Sequence, residues 1–149
     1  MVTYTHPRPA VAVDIVLFTE LQGACHVLLI QRARPPFQGQ YALPGGFVEI
    51  DEPLAAAAKR ELREETGLEG VDLTQIKAFG DPGRDPRGRV ISIVYGAFLP
   101  PNQEYTPKAA SDAADAGWYP LSDLPPLAFD HGEIIHTAYQ SLPNPSQGE

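Results

Sequence analysis

Sixteen prolines interrupt this 149-residue chain, and their spacing limits the elements that it can form. Proline lacks a backbone N–H and fixes its own φ angle, so it ends helices and interior strands. The segments between prolines are therefore short, and only two of them carry a helix signal. The main breaks fall at Pro35–Pro36, Pro82, Pro86, Pro100–Pro101 and Pro125–Pro126.

Strand signals outnumber helix signals. The stretches "AVAVDIVLFT", "HVLLIQR" and "VISIVYGAFL" are apolar or β-branched runs, and "GWYPL" is a shorter one. The stretch "YALPGGFV" has the pattern of a strand, a glycine turn and a second strand. We expect a single α/β domain, in which these strands form a mixed sheet and the helices pack on it as a sandwich.

Capping signals bound the two helices. The first opens near Asp51, with Pro53 in its first turn, and stops at Gly67. The second covers "DHGEIIHTAYQSL" and takes Asp130 as its N-cap. The closing stretch "PNPSQGE" predicts a disordered tail over 143–149, so the folded domain is expected to span 1–142.

The charge balance excludes one class of partner. Eleven basic and nineteen acidic residues give a net charge of −8, whereas a nonspecific nucleic-acid binder needs a basic surface. A nucleotide is not excluded, because a bound divalent cation can reverse the local charge of a site. No apolar run reaches transmembrane length, and "MVTYTHPRPA" lacks a signal-peptide pattern. We therefore expect a cytoplasmic protein without a membrane partner.

The first helix carries a crowded group of carboxylates. At about 100° per residue, its apolar face runs through Leu54 and Leu62. Glu65 falls inside that arc, and Glu61 and Glu64 lie at its border. A buried carboxylate stays ionised only when a cation compensates it. The group therefore indicates a hard divalent ion, Mg²⁺ or Mn²⁺, held by oxygen ligands.

The alternative is an acidic helix edge that is solvated or that pairs with Arg60 and Arg63. The wider spacing argues against this alternative. From Gly46 to Leu68 the chain matches the pattern G-x5-E-x7-R-E-U-x-E-E-x-G-U, where U is bulky and aliphatic. Here the sequence resembles the Nudix hydrolase family, and every defined position of that family's motif is present.

The resemblance continues outside the motif. "LLIQRARPPFQGQYALPGGFVE" and "GRDPRGRVISIVYGAF" are similar to the ADP-ribose pyrophosphatase branch. The resemblance implies an α/β/α sandwich and a metal-dependent hydrolase of a nucleoside diphosphate linked to another moiety. The favoured reaction converts ADP-ribose to AMP and ribose 5-phosphate. The alternatives are an 8-oxo-dGTP or dinucleoside polyphosphate hydrolase and a non-enzymatic nucleotide-sensing domain, and a homodimer is left open.

The resemblance also assigns roles within the motif. Glu52 and Arg60 would form a salt bridge that orients the metal carboxylates. The Mg²⁺ or Mn²⁺ ion would neutralise the pyrophosphate and lower the pKa of an attacking water. Its ligands would be the Gly45 carbonyl and the side chains of Glu61, Glu64 and Glu65. The predicted catalytic residues are Glu52, Arg60, Glu64 and Glu65.

The general base is left open. Glu64 is the first choice within the motif. Later loops offer Glu104, Asp112 and Asp115 as other bases, and each of these would otherwise be ordinary solvated surface.

Charged residues outside the motif are candidates for substrate binding. Arg32 and Arg34 follow a predicted strand and could hold phosphate with bidentate hydrogen bonds. Arg84, Asp85 and Arg87 lie in "GDPGRDPRGRV", a loop stiffened by proline and glycine. The alternatives are two exposed arginines and a charged hairpin loop.

Overall fold

The structure, a computed structural model, describes residues 3–101, 104–110 and 113–145. Asp112 and the 146–149 part of the predicted tail lie outside the described residues. No helix in the described ranges is long and apolar enough to cross a bilayer. The elements are β1 (Ala10–Leu21), β2 (Ala24–Arg32), β3 (Tyr41–Ala42), β4 (Gly45–Phe47), α1 (Leu54–Thr66), β5 (Thr74–Phe79), β6 (Val90–Phe98), β7 (Ala113–Pro120) and α2 (His131–Ser141).

The strands form one mixed sheet with β1 near its centre. The order is β3-β2-β1-β6-β5, with β4 paired to β1 and β7 paired to β2. The β1–β6 pair is parallel and the other pairs are antiparallel. Residues Ala12–Thr19 of β1 are all buried. A strand covered on both faces reads as a continuous apolar run, which explains "AVAVDIVLFT".

Alternate residues of β1 enter two separate cores. Val13, Ile15 and Leu17 pack in the core that contains Ala58 and Leu62 of α1. The even-numbered positions, with Val16 and Phe18, pack in the core that contains α2, whose members include Ile134, Ile135 and Ala138. Because the side chains of a strand alternate between its faces, each helix covers one face of the sheet. The α/β sandwich expected from the sequence is confirmed.

The first helix ends as predicted but begins later. Gly67 terminates α1 with φ 78°, a left-handed conformation, and its N–H donates to the Arg63 carbonyl. Pro53 is the N-cap residue and lies outside the first turn, so the predicted start near Asp51 is corrected to Leu54. Pro53 fits there because its backbone is extended (φ −63°, ψ 148°).

The other differences are in elements that depend on tertiary contacts. Asp130 occupies the N-cap position of α2 but makes no side-chain capping bond, because its carboxylate pairs with Arg84. The sequence did not predict β5, whose pattern is mostly exposed and lacks an apolar run. Strand β7 begins at Ala113 and is longer than "GWYPL", because its first half follows the edge of β2.

Candidate active site

The turn before the first helix contains two glycines because no side chain fits there. A Cβ atom on Gly46 would lie 2.3 Å from a carboxylate oxygen of Glu61. A Cβ atom on Gly45 would lie 2.3 Å from the Val13 carbonyl oxygen and 2.4 Å from a carboxylate oxygen of Asp14. These distances are far below van der Waals contact, so the close approach of turn, strand and helix requires glycine.

The pairing of β4 with β1 orients the Gly45 carbonyl. The Ile15 N–H donates to the Pro44 carbonyl at 2.8 Å, and the next pair in the ladder joins Asp14 to Gly45. Antiparallel ladders alternate hydrogen-bonded and non-hydrogen-bonded pairs. The N–H and carbonyl of Gly45 therefore both point away from β1. The N–H donates to Glu65 Oε1 at 2.8 Å, which ties this turn to α1.

Arg60 organises the motif carboxylates. Its Nε and Nη2 donate to the two oxygens of Glu52 at 2.6 and 2.9 Å, a bidentate pair. Its Nη1 lies 3.0 Å from both Glu61 Oε2 and Glu64 Oε1. Nη2 also donates to the Phe47 carbonyl at 3.1 Å, so Arg60 ties α1 to β4. The predicted Glu52–Arg60 salt bridge is present in the structure.

Burial raises the pKa of two motif glutamates. The pKa of Glu65 is raised to about 8. Desolvation is the largest cause, and the charges of Glu61 and Asp14 add to it. The Gly45 N–H alone would lower that pKa, so desolvation and the neighbouring carboxylates outweigh it. Desolvation likewise raises the pKa of Glu61, although Arg60 opposes the shift. A metal ion at this point would relieve the cost of keeping both groups ionised.

The donor set suits a hard divalent ion. Carboxylates and a backbone carbonyl are the ligands that Mg²⁺ and Mn²⁺ prefer. Across 3–101, 104–110 and 113–145, no three acidic, histidine or cysteine side chains converge as a preformed metal cage. Arg60 shares its Nη1 between Glu61 and Glu64, so binding a metal ion there would require these side chains to rearrange. Glu64, with its side chain 43% exposed, has the room to do so.

A cavity of about 520 Å³ opens beside this cluster. Its walls carry both signs of charge, with carboxylates from α1 and guanidinium groups from β2 and the 81–89 loop. The predicted site residues that line it are Arg32, Arg34, Gly45, Arg60, Glu61, Glu64, Glu65, Arg84, Asp85 and Arg87. The structure thus brings most of the predicted residues together around one space.

Arg32 has hydrogen-bond donors to spare. Its Nε donates to the Pro36 carbonyl at 2.6 Å, and its guanidinium lies 5.0 Å from the Phe129 ring centroid. Burial, followed by the nearby charge of Arg87, lowers its pKa from the ordinary arginine value. Its two terminal amino groups make no hydrogen bond with the described residues. They are therefore available to a ligand.

The 81–89 loop is held by two bidentate ion pairs. Arg87 binds Asp85 through Nε at 3.0 Å and Nη2 at 2.7 Å, and Asp85 is buried. Burial alone would raise the pKa of Asp85, but these hydrogen bonds bring it below its ordinary value. Arg84 binds Asp130 through Nε at 2.9 Å and Nη2 at 2.7 Å. Both arginines therefore use much of their hydrogen-bonding capacity within the protein.

The loop candidates for the general base lie elsewhere. Glu104 is exposed. Asp115 is an exposed β7 residue opposite Gln31 and accepts a hydrogen bond from Tyr119 at 3.4 Å. Neither lines the cavity as described, and Asp112 falls outside the described residues. Glu64 does line it.

Several cavity residues were not predicted from the sequence, among them Asp14, Phe47, Phe129 and His131. Asp14 and His131 are buried in its floor, and Phe47 and Phe129 flank Arg87 at 5.0 and 5.4 Å from its guanidinium carbon. Asp14 had a signal, because it is the one charge inside the buried run of β1. Phe47 directly follows the motif glycine Gly46, whereas Phe129 and His131 had no signal, since only tertiary folding brings them near the motif.

A family model for the NUDIX domain matches residues 8–138. The chain belongs to the Nudix family. Nudix hydrolases generally need a divalent metal ion, which agrees with the carboxylates beside the Gly45 turn. The family resemblance drawn from the motif is therefore confirmed.

Three similar proteins define the branch of the Nudix family. The chain is 44% identical over 137 residues to an ADP-ribose pyrophosphatase of Methanocaldococcus jannaschii, covering 89% of this chain and 73% of that protein. It is 35% identical to the ADPR responsive transcriptional repressor NtrR of Acinetobacter baylyi, but spans only 56% of that repressor. The NUDIX domain of Shewanella oneidensis NrtR, solved with ADP ribose, is 34% identical with a TM-score of 0.84, covering 91% of this chain and 89% of that one.

Proposed function

We propose that this Nudix protein hydrolyses ADP-ribose to AMP and ribose 5-phosphate with Mg²⁺ or Mn²⁺. The observation that carries the proposal is that the motif carboxylates and Arg32 line one and the same cavity. A pyrophosphate with a nucleoside on one side and a sugar on the other needs a cation site and further donors nearby. Support also comes from the similarity to a pyrophosphatase that acts on ADP-ribose.

The chain's own groups position the reactants. Bound between Gly45, Glu61, Glu64 and Glu65, a divalent ion would neutralise phosphate charge and make a bound water more acidic. Arg32 donates to phosphate oxygens through its free amino groups. Water adds to one phosphorus as the bridging oxygen leaves with the other phosphate, which yields AMP and ribose 5-phosphate. Arg60, held by Glu52, keeps the motif carboxylates in place.

Glu64 is proposed as the group that takes the proton from water. It borders the cavity, is partly exposed and can turn from Arg60 toward a ligand. A general base must come within hydrogen-bond reach of the proton that it abstracts. Asp112, Asp115 and Glu104 remain the loop alternatives, and a glutamine substitution at Glu64 that retains full turnover would favour them.

The principal competing function is sensing without hydrolysis. The similarity to an ADPR responsive repressor favours this possibility, because a repressor needs only to bind its effector. The complete set of motif carboxylates, two of them held at a desolvation cost, favours catalysis instead. Incubation of a stoichiometric amount of the protein with ADP-ribose and Mn²⁺ separates the two functions, since only an enzyme releases AMP.

We predict that ADP-ribose is the best substrate in a panel with 8-oxo-dGTP, diadenosine tetraphosphate and NADH. Arg32, Arg84 and Arg87 line the same cavity as the carboxylates, and their donors suit a pyrophosphate flanked by two sugars. A triphosphate would bring a crowded terminal charge and leave some donors unpaired. The measurement is kcat/KM with Mg²⁺ and with Mn²⁺. A competitor about tenfold better, or 1.4 kcal/mol in barrier, would overturn the substrate and leave the family assignment intact.

We also predict that Arg32→Lys lowers kcat/KM for ADP-ribose by about 10- to 100-fold, as expected for losing a charge-assisted hydrogen bond. The single ammonium group of lysine cannot donate to the Pro36 carbonyl and also make a bidentate hydrogen bond with phosphate. Arg63→Lys is the matched control, because Arg63 is half exposed on α1 and lies 4.0 Å from Glu69 alone. Equal kcat/KM values for the two variants would show that Arg32 does not bind the substrate.

The proposal also covers the location of the protein, the extent of its catalytic unit and its oligomeric state. We place it in the cytoplasm, with the catalytic unit spanning 1–142 and the tail 143–149 dispensable for activity. The net charge of −8 favours a small nucleotide ligand over a nucleic-acid polymer. Light scattering on the purified chain decides between a monomer and a homodimer.

A further inference from the structure

A buried polar chain runs beneath the Gly45 turn. The Ser92 hydroxyl donates to Asp14 Oδ2, and Asp14 Oδ1 lies 3.6 Å from His131 Nε2. His131 Nδ1 accepts the Leu43 N–H at 3.0 Å. Ser92, Asp14 and His131 are 0%, 8% and 4% exposed, so these polar groups are largely removed from solvent.

The hydrogen bond from Leu43 determines the form of the imidazole. A ring nitrogen that accepts an N–H carries no proton itself, so the proton of neutral His131 is on Nε2. That N–H faces Asp14 Oδ1, and Ser92 holds the other Asp14 oxygen. The Asp14 carboxylate thereby favours the tautomer that leaves Nδ1 free to accept.

Each successive residue of the turn is held by a different element. The Leu43 N–H is held by His131 of α2, the Pro44 carbonyl by Ile15 of β1, and the Gly45 N–H by Glu65 of α1. The Gly45 carbonyl, which points away from β1, therefore has its direction set by these three bonds. Removing one of them frees the turn to rotate.

The start of α2 is itself anchored. Asp130, the residue before His131, makes the bidentate pair with Arg84, whose side chain is 5% exposed. The charged groups that face the imidazole are Asp14, Asp130, Arg84 and Arg32. His131 therefore projects from a fixed point of the backbone, as a group that orients another group must.

We propose that His131 is a positioning residue for the metal centre. It acts through Leu43 to aim the Gly45 carbonyl and to keep the Gly45 N–H on Glu65, and Asp14 with Ser92 sets its tautomer. The role rests on the proposed function, because the metal ligands are those assigned above.

The test compares His131→Phe with His131→Asn in Mn²⁺ binding, measured by the loss of the free-ion electron paramagnetic resonance signal. Phenylalanine fills the space but accepts no hydrogen bond, so the Mn²⁺ dissociation constant should rise by about 10- to 100-fold, as for other groups that orient ligands. Asparagine Oδ1 can replace Nδ1 as the acceptor from Leu43 and should restore most of the affinity. Binding is measured on protein shown to be folded by circular dichroism.

Equal affinity in the unsubstituted protein and in His131→Phe would overturn the proposal, as would failure of asparagine to restore binding. A second measurement needs no variant. Nitrogen-15 chemical shifts of the unsubstituted protein should show the proton of His131 on Nε2, and a proton on Nδ1 would contradict the Leu43 bond.

The outcomes also separate this role from the proposed function. If the Mn²⁺ affinity falls in His131→Phe but ADP-ribose is not hydrolysed by the unsubstituted protein, the positioning role stands and the substrate assignment fails. If ADP-ribose is hydrolysed and both variants bind Mn²⁺ normally, the substrate assignment stands and the positioning role fails. An unsubstituted protein that binds no Mn²⁺ overturns both.

Discussion

Glu65→Gln is expected to abolish turnover while the fold persists. The substitution keeps the side-chain volume and an oxygen that can accept the Gly45 N–H, but removes the charge that a divalent ion needs. Loss of one such electrostatic group costs about 2.7 to 4 kcal/mol of barrier, or ~10²- to 10³-fold in kcat, at the least. The measurement is AMP release from ADP-ribose in saturating Mg²⁺ and Mn²⁺.

Stability provides the internal check on that result. Because Glu65 is largely desolvated beside Glu61, an uncharged amide should not lower the Tm measured in EDTA. Glu69→Gln makes the same chemical change at an exposed position just beyond α1 and should leave both activity and Tm unchanged. Full activity in Glu65→Gln, or in the unsubstituted protein with excess EDTA, would refute the metal mechanism.

Arg60→Ala is expected to be the most destabilising single change in the motif. Arg60 is 18% exposed and pairs with Glu52, Glu61 and Glu64, so its removal leaves these carboxylates facing one another. Removing one partner from such a group costs about 2 kcal/mol or more, or roughly 4 to 8 °C in Tm for a chain of this size. Differential scanning calorimetry in EDTA measures the loss.

A divalent ion should reverse part of that loss. Without Arg60 the carboxylates lack their compensating cation, so Mg²⁺, which binds them only when folding has gathered them, should raise the Tm of Arg60→Ala. Arg63→Ala is the control on the same helix, because Arg63 is 50% exposed and its loss should change stability by less than about 0.5 kcal/mol. Equal Tm values for the two variants would show that Arg60 does not organise the site.

Local sequence patterns were sufficient to predict the main features of the first helix. The wheel placed Glu61 and Glu65 toward the protein body, and the structure buries Glu61 and desolvates Glu65. Gly67 ends the helix in the left-handed conformation that its position suggested. These features depend on residues within a few turns of one another, which is why spacing alone predicts them.

The rest of the site depends on contacts that spacing cannot show. Arg84 and Asp130 are 46 positions apart in the chain, and Leu43 and His131 are 88 apart. Asp130 looked like a helix cap, yet its carboxylate belongs to an ion pair across the cavity. The assignments of ligands and base remain predictions, because each depends on a bound ion and substrate.

By itself the sequence determined the family, the apolar strand β1 and the carboxylate-bearing helix, because the pattern of apolar residues and the motif spacing are local properties. Apart from the Glu52–Arg60 pair, which the motif predicted, the tertiary structure alone decided which charges meet. It left Arg32 with free donors, engaged Arg84 and Arg87 in ion pairs, and placed Asp14 beneath Gly45. The physical reason is that a buried charge is stable only beside its partner, and the sheet order brings those partners together from distant parts of the chain.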